Sequence, residues 1–150
     1  MIKIFIDTNI FINIWCKEVD NKTGKELWRG SLKVLELVEE NKIVGVTGLT
    51  NLMEICHLFQ IRNLNFDEAL NDLENLGLDI FIPDTLTMIN AFKIQKTYKI
   101  DPYDSIVLAS AIESNCDYII TRDKTFIKKG KELIDLLTPE EFLNKLKLSL

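Results

Sequence analysis

The amino-acid sequence predicts an α/β protein, a three-layer α/β/α sandwich around a central, mostly parallel sheet of four or five strands. Two observations lead to this prediction. Short runs rich in β-branched residues recur along the chain, and most gaps between them hold stretches of helical character. In addition, no repeat, low-complexity tract or Gly/Ser linker interrupts the 150 residues. We therefore expect one domain that covers residues 1–150.

The predicted strands are short apolar runs bounded by polar or turn-forming residues. The first is residues 2–6, a buried run that ends at Asp7. The fourth is residues 118–121, which ends just before Asp123. The remaining predicted strands are residues 43–47, residues 78–82 and a short fifth strand at residues 133–137.

The first three predicted helices are marked by capping residues and by apolar residues at helical spacing. Thr8 or Asn9 starts the first helix, and the capping-box pattern of residues 23–26 starts the second. Thr47 or Thr50 caps a third helix that ends near residue 61. Its expected apolar side consists of Leu49, Leu52, Met53, Cys56 and Phe59.

The later helices have clearer start signals. Asn65 caps a helix that stops at Gly77, and Asp84 opens one that runs toward residue 99. In the next helix Asp101 is the cap and Pro102 takes the first helical position. That helix is apolar nearly all round, which predicts burial between the sheet and other elements. Residues 138–141 have the pattern of a cap for the final helix.

The composition is that of a globular protein, with 47% hydrophobic and 27% charged residues. No apolar run is long enough to span a bilayer, and the first residues look like a strand rather than a signal peptide. Three cysteines without a zinc-site spacing favour buried, reduced thiols in a cytoplasmic protein. We therefore expect no membrane association.

The net charge of −5 argues against a protein that coats nucleic acid non-specifically. It leaves open a local basic rim around an acidic pocket, although a solvated charged surface is the preferred interpretation. The candidates for such a rim are Arg122, Lys124, Lys128, Lys129 and Lys131, or Lys93, Lys96 and Lys99.

Four acidic residues lie where predicted strands end or helices begin: Asp7, Glu54, Asp104 and Asp123. Open α/β sheets bind ligands at the carboxyl edge of their strands. Carboxylates gathered there repel one another unless a cation joins them. A site of oxygen ligands without histidine or thiolate favours Mg²⁺ or Mn²⁺ over Zn²⁺. Metal-assisted hydrolysis of a phosphodiester by water is the chemistry that this set predicts.

Each acid also has a purely structural interpretation. Asp7 and Asp123 can serve as a helix cap and a turn residue, and Glu54 and Asp104 can serve as favourable charges early in their helices. For Glu54 and Asp104 taken singly, the structural interpretation is preferred. Taken together on one predicted edge, the four acids favour a functional site.

The chain resembles the PIN domain family in four places. These are residues 4–9, Glu54 on the helix after the second strand, residues 104–111 and residues 119–126. Their order and separations match the family over essentially the whole chain, and the last two are the most specific. Within the family, a short chain of this kind is most similar to the VapC toxins of bacterial and archaeal toxin–antitoxin pairs.

The resemblance implies a ribonuclease that depends on Mg²⁺ or Mn²⁺ and cuts single-stranded or loop RNA. By motif position, the implied catalytic and metal-binding residues are Asp7, Glu54, Asp104 and Asp123. The implied supporting residues, which orient carboxylates or waters, are Thr8, Asn9 and Thr121. It also implies a homodimer that is inhibited by a small antitoxin whose C-terminal segment covers the acidic groove.

Three alternatives stay open at this stage. The first is a housekeeping RNA-processing nuclease of the same fold. The second is a phosphotransfer protein of haloacid dehalogenase or receiver type, which fits poorly because Asn9 stands where the dehalogenases have a second Asp. The third is a non-catalytic module that holds a basic peptide. Surface or packing roles are expected for His57, Trp15 and Trp28.

Overall fold

A computed structural model describes residues 1–149 and contains one five-stranded sheet. The strands are β1 (Lys3–Ile6), β2 (Val44–Gly48), β3 (Asp79–Phe81), β4 (Tyr118–Ile120) and β5 (Asp135–Leu137). Their order across the sheet is β3-β2-β1-β4-β5, and every neighbouring pair is parallel. The α/β prediction is confirmed, including the short fifth strand.

Eight helices cover the sheet within these described residues. They are α1 (Thr8–Trp15), α2 (Leu27–Glu39), α3 (Leu49–Ile61), α4 (Phe66–Leu76), α5 (Thr85–Tyr98), α6 (Pro102–Glu113), α7 (Lys124–Gly130) and α8 (Pro139–Ser149). The sequence patterns did not predict the extent of α7, because a seven-residue helix is too short to show a helical period.

The sheet separates two hydrophobic cores, which makes the fold three-layered as predicted. Successive residues of β1 point to opposite faces: Ile4 and Ile6 enter one core, and Phe5 enters the other. In β4, Ile119 and Ile120 divide in the same way. The first core packs mainly against α1 to α4 and α8, and the second against α5 to α7.

Several predicted helix ends are confirmed in atomic detail. The side chain of Asn65 accepts a hydrogen bond from the Asp67 amide at the start of α4. Asp101 accepts bonds from the amides of Tyr103 and Asp104 at the start of α6. Gly77 ends α4 with φ of +70°, a left-handed conformation that suits glycine.

One predicted helix start and one predicted capping residue are wrong. The helix α2 begins at Leu27 after Glu26, which makes no side-chain capping bond, so residues 23–26 are not a capping box. They lie instead in a turn closed by a bridge between Val19 and Glu26. The first helix begins at Thr8 as predicted, but its cap is Asp7, in line with the structural interpretation of that acid, and not Thr8 or Asn9.

The buried side of α3 also differs from the prediction. Met53 is 65% exposed, whereas Asn51 and Ile55 are buried. The expected caps are not used, because Gly48 precedes the helix and the Thr47 hydroxyl donates to the Ile6 carbonyl oxygen instead. The helix therefore turns its Asn51 side toward the end of β1.

The three cysteines are free thiols that are partly buried, rather than fully buried as predicted. Over residues 1–149, no helix combines the length and apolar character that crossing a membrane requires.

Candidate active site

The four predicted acids lie around the carboxyl edge of the sheet. Asp7 directly follows β1, and Asp123 follows β4 and caps α7. Glu54 lies on α3, which leaves β2, and Asp104 lies in the first turn of α6. The structure brings them close enough for Glu54 and Asp123 to raise the pKa values of both Asp7 and Asp104. The elements that carry them therefore bring the four acids to one edge of the sheet.

Asp7 is the most buried of the four, with 7% of its surface exposed. Its Oδ1 accepts bonds from the Thr8 amide at 2.9 Å and from Asn51 Nδ2 at 3.3 Å. Its Oδ2 accepts bonds from Thr121 Oγ1 at 2.8 Å and from Asn9 Nδ2 at 3.4 Å. These donors fix the orientation of the carboxylate.

The predicted supporting residues contact Asp7 in different ways. Thr121 donates its hydroxyl proton to Asp7 and accepts bonds from Asn9 Nδ2 and the Asp123 amide. Thr8 contributes only its backbone amide to Asp7, and its hydroxyl accepts a bond from Asn51. Thr121 and Asn9 thus link the two strands that carry Asp7 and Asp123.

Burial raises the pKa of Asp7 to about 6 from 3.8. The hydrogen bonds from Thr121 and Thr8 oppose this effect, and the charges of Glu54 and Asp123 add to it. A buried carboxylate among other carboxylates holds its proton more tightly because ionisation would place like charges together away from water.

Asp104 shows the same effect more strongly. Burial, followed by the charge of Asp7, raises its pKa to about 7. The charges of Asp123, Asp101 and Glu54 add smaller increases. Of the two acids at this helix start, Asp101 serves as the cap, while Asp104 faces the other carboxylates.

Asn51 belongs to the site and was missed by the sequence analysis. It is buried, donates to both Asp7 and Thr8, and its Oδ1 accepts no hydrogen bond from the residues that the structure describes. A buried polar oxygen without a partner is uncommon and calls for a donor or a cation. The available signal was its position one turn before Glu54 on the same side of α3.

A narrow cleft joins these groups. Asp7, Asn51, Glu54 and Asp104 line it, together with Thr50, Tyr103 and Val107. Asp123 lies outside this lining, although its charge acts on both Asp7 and Asp104.

A wider pocket of about 530 Å³ shares Thr50, Glu54 and Tyr103 with the cleft and adds Met53 and His57. His57 is exposed, as expected for a surface histidine.

A comparison with known protein families identifies the family of this chain. The profile of the PIN domain matches residues 3–125. The chain belongs to the PIN domain family. A comparison with curated protein sequences gives no match.

Solved structures share this PIN fold at low sequence identity. A toxin–antitoxin complex from Klebsiella pneumoniae contains a chain with 19% identity and a TM-score of 0.67, covering 90% of this chain and 96% of that one. VapBC2 from Rickettsia felis, bound to a promoter DNA fragment, has 16% identity and a TM-score of 0.62 over 90% and 97% of the two chains. VapBC-1 from nontypeable Haemophilus influenzae has 14% identity and a TM-score of 0.62 over 93% and 99%.

The donor chemistry of this PIN site fits a hard divalent cation. It offers carboxylate oxygens and the unpartnered Oδ1 of Asn51, the ligand types that Mg²⁺ and Mn²⁺ prefer. In the described part of the chain, no three His, Cys, Asp or Glu side chains already converge closely enough to hold an ion. The acids would therefore have to draw together around it.

Arg122 does not form part of a basic rim, which corrects one of the sequence-based alternatives. Only 13% of its side chain is exposed, and its guanidinium pairs with Glu140 at the start of α8. Lys124, Lys128 and Lys129 of α7 are exposed. The charge of Arg122 is therefore used inside the fold rather than offered to a ligand.

Proposed function

We propose that this protein is an endoribonuclease that hydrolyses RNA phosphodiester bonds with Mg²⁺ or Mn²⁺. The observation that supports this most is the gathering of four carboxylates at one sheet edge, where burial and then the neighbouring carboxylates raise the pKa values of Asp7 and Asp104. Family membership agrees, since PIN domains are generally nucleases that typically use divalent metals. We further propose that residues 1–150 act as a single domain in the cytoplasm.

In this proposal the metal is held by Asp7, Glu54, Asp104 and Asp123. A bound divalent ion would neutralise charge that develops on the phosphoryl oxygens. Asp7 is held by four donors and serves to orient the site. Burial and the neighbouring carboxylates raise the pKa of Asp104 to about 7, near the pH at which a general base works best, so in this proposal Asp104 orients or deprotonates the attacking water.

The pocket beside the cleft supports a single-stranded substrate. Tyr103 is 62% exposed at the border of the cleft, and His57 and Met53 line the same pocket. An unstacked base can stack on an aromatic ring, whereas a base within a duplex cannot. Single-stranded or loop RNA therefore fits this surface better than a continuous duplex.

The direct test is cleavage of a labelled single-stranded RNA by purified protein with Mn²⁺ or Mg²⁺. We expect internal cuts that leave a 5′-phosphate and a 3′-hydroxyl, and complete loss of cleavage with EDTA. No cleavage of any RNA by folded, metal-loaded protein would contradict the proposal and favour the non-catalytic binding module.

We also propose that the protein is the toxin of a toxin–antitoxin pair and forms a homodimer. The similar structures in complexes described as toxin–antitoxin or VapBC assemblies support a protein partner. A groove of about 280 Å³ between α1, α2 and α4 offers a surface for an antitoxin segment, with an apolar floor that includes Trp15 and acidic residues that include Glu36, Glu39 and Asp72. Leu86, Ile89 and Phe92 form an exposed apolar row on α5 that suits a second copy.

Co-purification tests these partners. We expect a small protein encoded beside this chain to form a stable complex with it and to suppress RNA cleavage, and we expect the chain alone to sediment as a dimer. Cleavage that a neighbouring gene product leaves unchanged would favour a housekeeping nuclease, and a monomer at micromolar concentration would contradict the dimer.

A further inference from the structure

The side chain of Arg122 makes an unusually complete set of polar contacts. Its Nε donates to Asn13 Oδ1 at 2.6 Å, and its NH2 group donates to the Leu27 carbonyl oxygen at 2.7 Å. Both terminal nitrogens bind the Glu140 carboxylate, each at 2.9 Å. Arg122 therefore joins the end of β4 to α1, to the start of α2 and to α8.

Glu140 is stabilised as a charged carboxylate in this ion pair. Burial alone would raise its pKa, but the hydrogen bonds and the charge of Arg122 outweigh burial and keep the pKa below its usual value. Lys25 lies 3.4 Å from the same carboxylate. Two parallel N–H···O bonds to a carboxylate fix the guanidinium plane as well as its position.

The helix α2 is shaped to admit this pair. A Cβ atom at Gly30 would lie 2.6 Å from Glu140 Oε1 and 3.5 Å from an Arg122 nitrogen. Glycine weakens a helix interior, but at this position the lack of a Cβ leaves room for the Glu140 carboxylate. The absence of a side chain lets the carboxylate lie directly against the helix.

The backbone of Arg122 connects this network to the active-site cleft. Its amide donates to Asn9 Oδ1 at 3.1 Å, which fixes which way the Asn9 amide group faces. Asn9 Nδ2 then donates to Thr121 Oγ1 at 3.1 Å and lies 3.4 Å from Asp7 Oδ2. Arg122 is also the residue between Thr121 and Asp123 in the chain.

We propose that Arg122 and Glu140 form a clamp that positions Asn9 and Thr121, and through them the Asp7 carboxylate. Arg122 is in this view a positioning residue, and α8 is part of the support of the active site although none of its described residues lines the cleft. The effect on metal binding rests on the proposed function, whereas the effect on Asn9 does not.

The test compares Arg122→Met, Arg122→Lys, Glu140→Gln and Gly30→Ala with the wild-type chain. The first readout is the NMR resonance pair of the Asn9 side-chain amide in metal-free protein. The second is Mn²⁺ affinity measured by electron paramagnetic resonance. We expect Arg122→Met and Glu140→Gln to shift the Asn9 resonances and to weaken Mn²⁺ binding about tenfold or more. Arg122→Lys should retain part of the wild-type Asn9 resonance positions and part of the Mn²⁺ affinity. Lysine keeps the positive charge but cannot bind the carboxylate through two parallel N–H groups.

Gly30→Ala is the sharpest variant because it keeps both partners of the clamp. Alanine normally favours a helix over glycine, so a loss here would come from the approach of Glu140 and not from helix propensity. We expect the Gly30→Ala chain to behave like the Glu140→Gln chain in both readouts.

Two controls separate positioning from general destabilisation. Leu73→Ala removes a buried side chain of α4 away from the clamp, and Arg29→Met removes an exposed partner of Glu26. Both should leave the Asn9 resonances and Mn²⁺ affinity of the folded protein unchanged.

Unchanged Asn9 resonances in the Arg122→Met and Glu140→Gln chains would overturn the clamp, as would equal losses in the Leu73→Ala chain. If the wild-type protein neither binds Mn²⁺ nor cuts RNA, the proposed function fails, and the Asn9 resonances still decide the clamp.

Discussion

Replacing Asp7 by asparagine is expected to lower kcat/KM for RNA cleavage by roughly 10²–10³-fold, which corresponds to several kcal/mol of lost transition-state stabilisation. Asp7 is the most buried carboxylate of the proposed site, and four donors orient it. Asparagine keeps the size of the side chain but lacks the charge that would hold a divalent ion. Single-turnover cleavage of a labelled RNA at saturating Mn²⁺ measures the effect.

Asp101→Asn provides a matched control near the same cleft. Asp101 caps α6, and asparagine caps helices about as well as aspartate does. We expect its cleavage rate to stay within about threefold of wild type, since Asp101 lies outside the proposed site and acts on it only through a small effect of its charge on Asp104. Equal loss in the Asp101→Asn and Asp7→Asn chains would show that total negative charge, and not the identity of Asp7, governs the reaction.

The metal-free protein is expected to lose stability as the pH rises from about 4 to about 6, because burial raises the pKa of Asp7 to about 6 from 3.8. The folded state retains this proton over that interval, whereas the unfolded state releases it, so the free energy of unfolding falls with rising pH. The shift of about two pKa units corresponds to roughly 3 kcal/mol. Asp104 extends the same trend toward pH 7, since its pKa is raised to about 7.

Urea unfolding at several pH values, for wild type and for Asp7→Asn, measures this effect. The difference between the two chains isolates Asp7 from carboxylates whose pKa values are lowered, such as Asp84 and Glu140. We expect the Asp7→Asn chain to gain stability relative to wild type as the pH rises through this interval. Adding Mn²⁺ at pH 7.5 should raise the free energy of unfolding of the wild-type protein again. If the difference in free energy of unfolding between the two chains does not vary with pH, the pKa of Asp7 is not raised in the folded protein.

The parallel sheet and the edge that carries the acids could be predicted from the sequence because both depend on local patterns. A buried run that ends in an acid identifies β1 and Asp7 without any knowledge of the tertiary structure. Gly77 and Asp101 could be recognised for the same reason, because a helix cap acts on the backbone of the residues next to it in the sequence.

The parts that could not be predicted depend on contacts between distant segments. Nothing near Arg122 in the sequence indicates that its partner is Glu140. From the sequence alone, Arg122 therefore cannot be distinguished from the exposed lysines that follow it. The apolar residues of α3 predict a buried side that includes Met53, but the helix turns Asn51 toward Asp7 and leaves Met53 exposed. Functional sites often place a polar residue where the sequence pattern predicts an apolar one.

Mn²⁺ titration at pH 7.5, followed by electron paramagnetic resonance, tests most directly whether the four carboxylates form one metal site. We expect saturable binding in wild type and in the Asp101→Asn chain. Binding should be at least tenfold weaker when Asp7 or Asp104 is replaced by asparagine, because each would supply charge and oxygen ligands to the same ion. Mn²⁺ affinity that is equal in all four proteins would contradict the account.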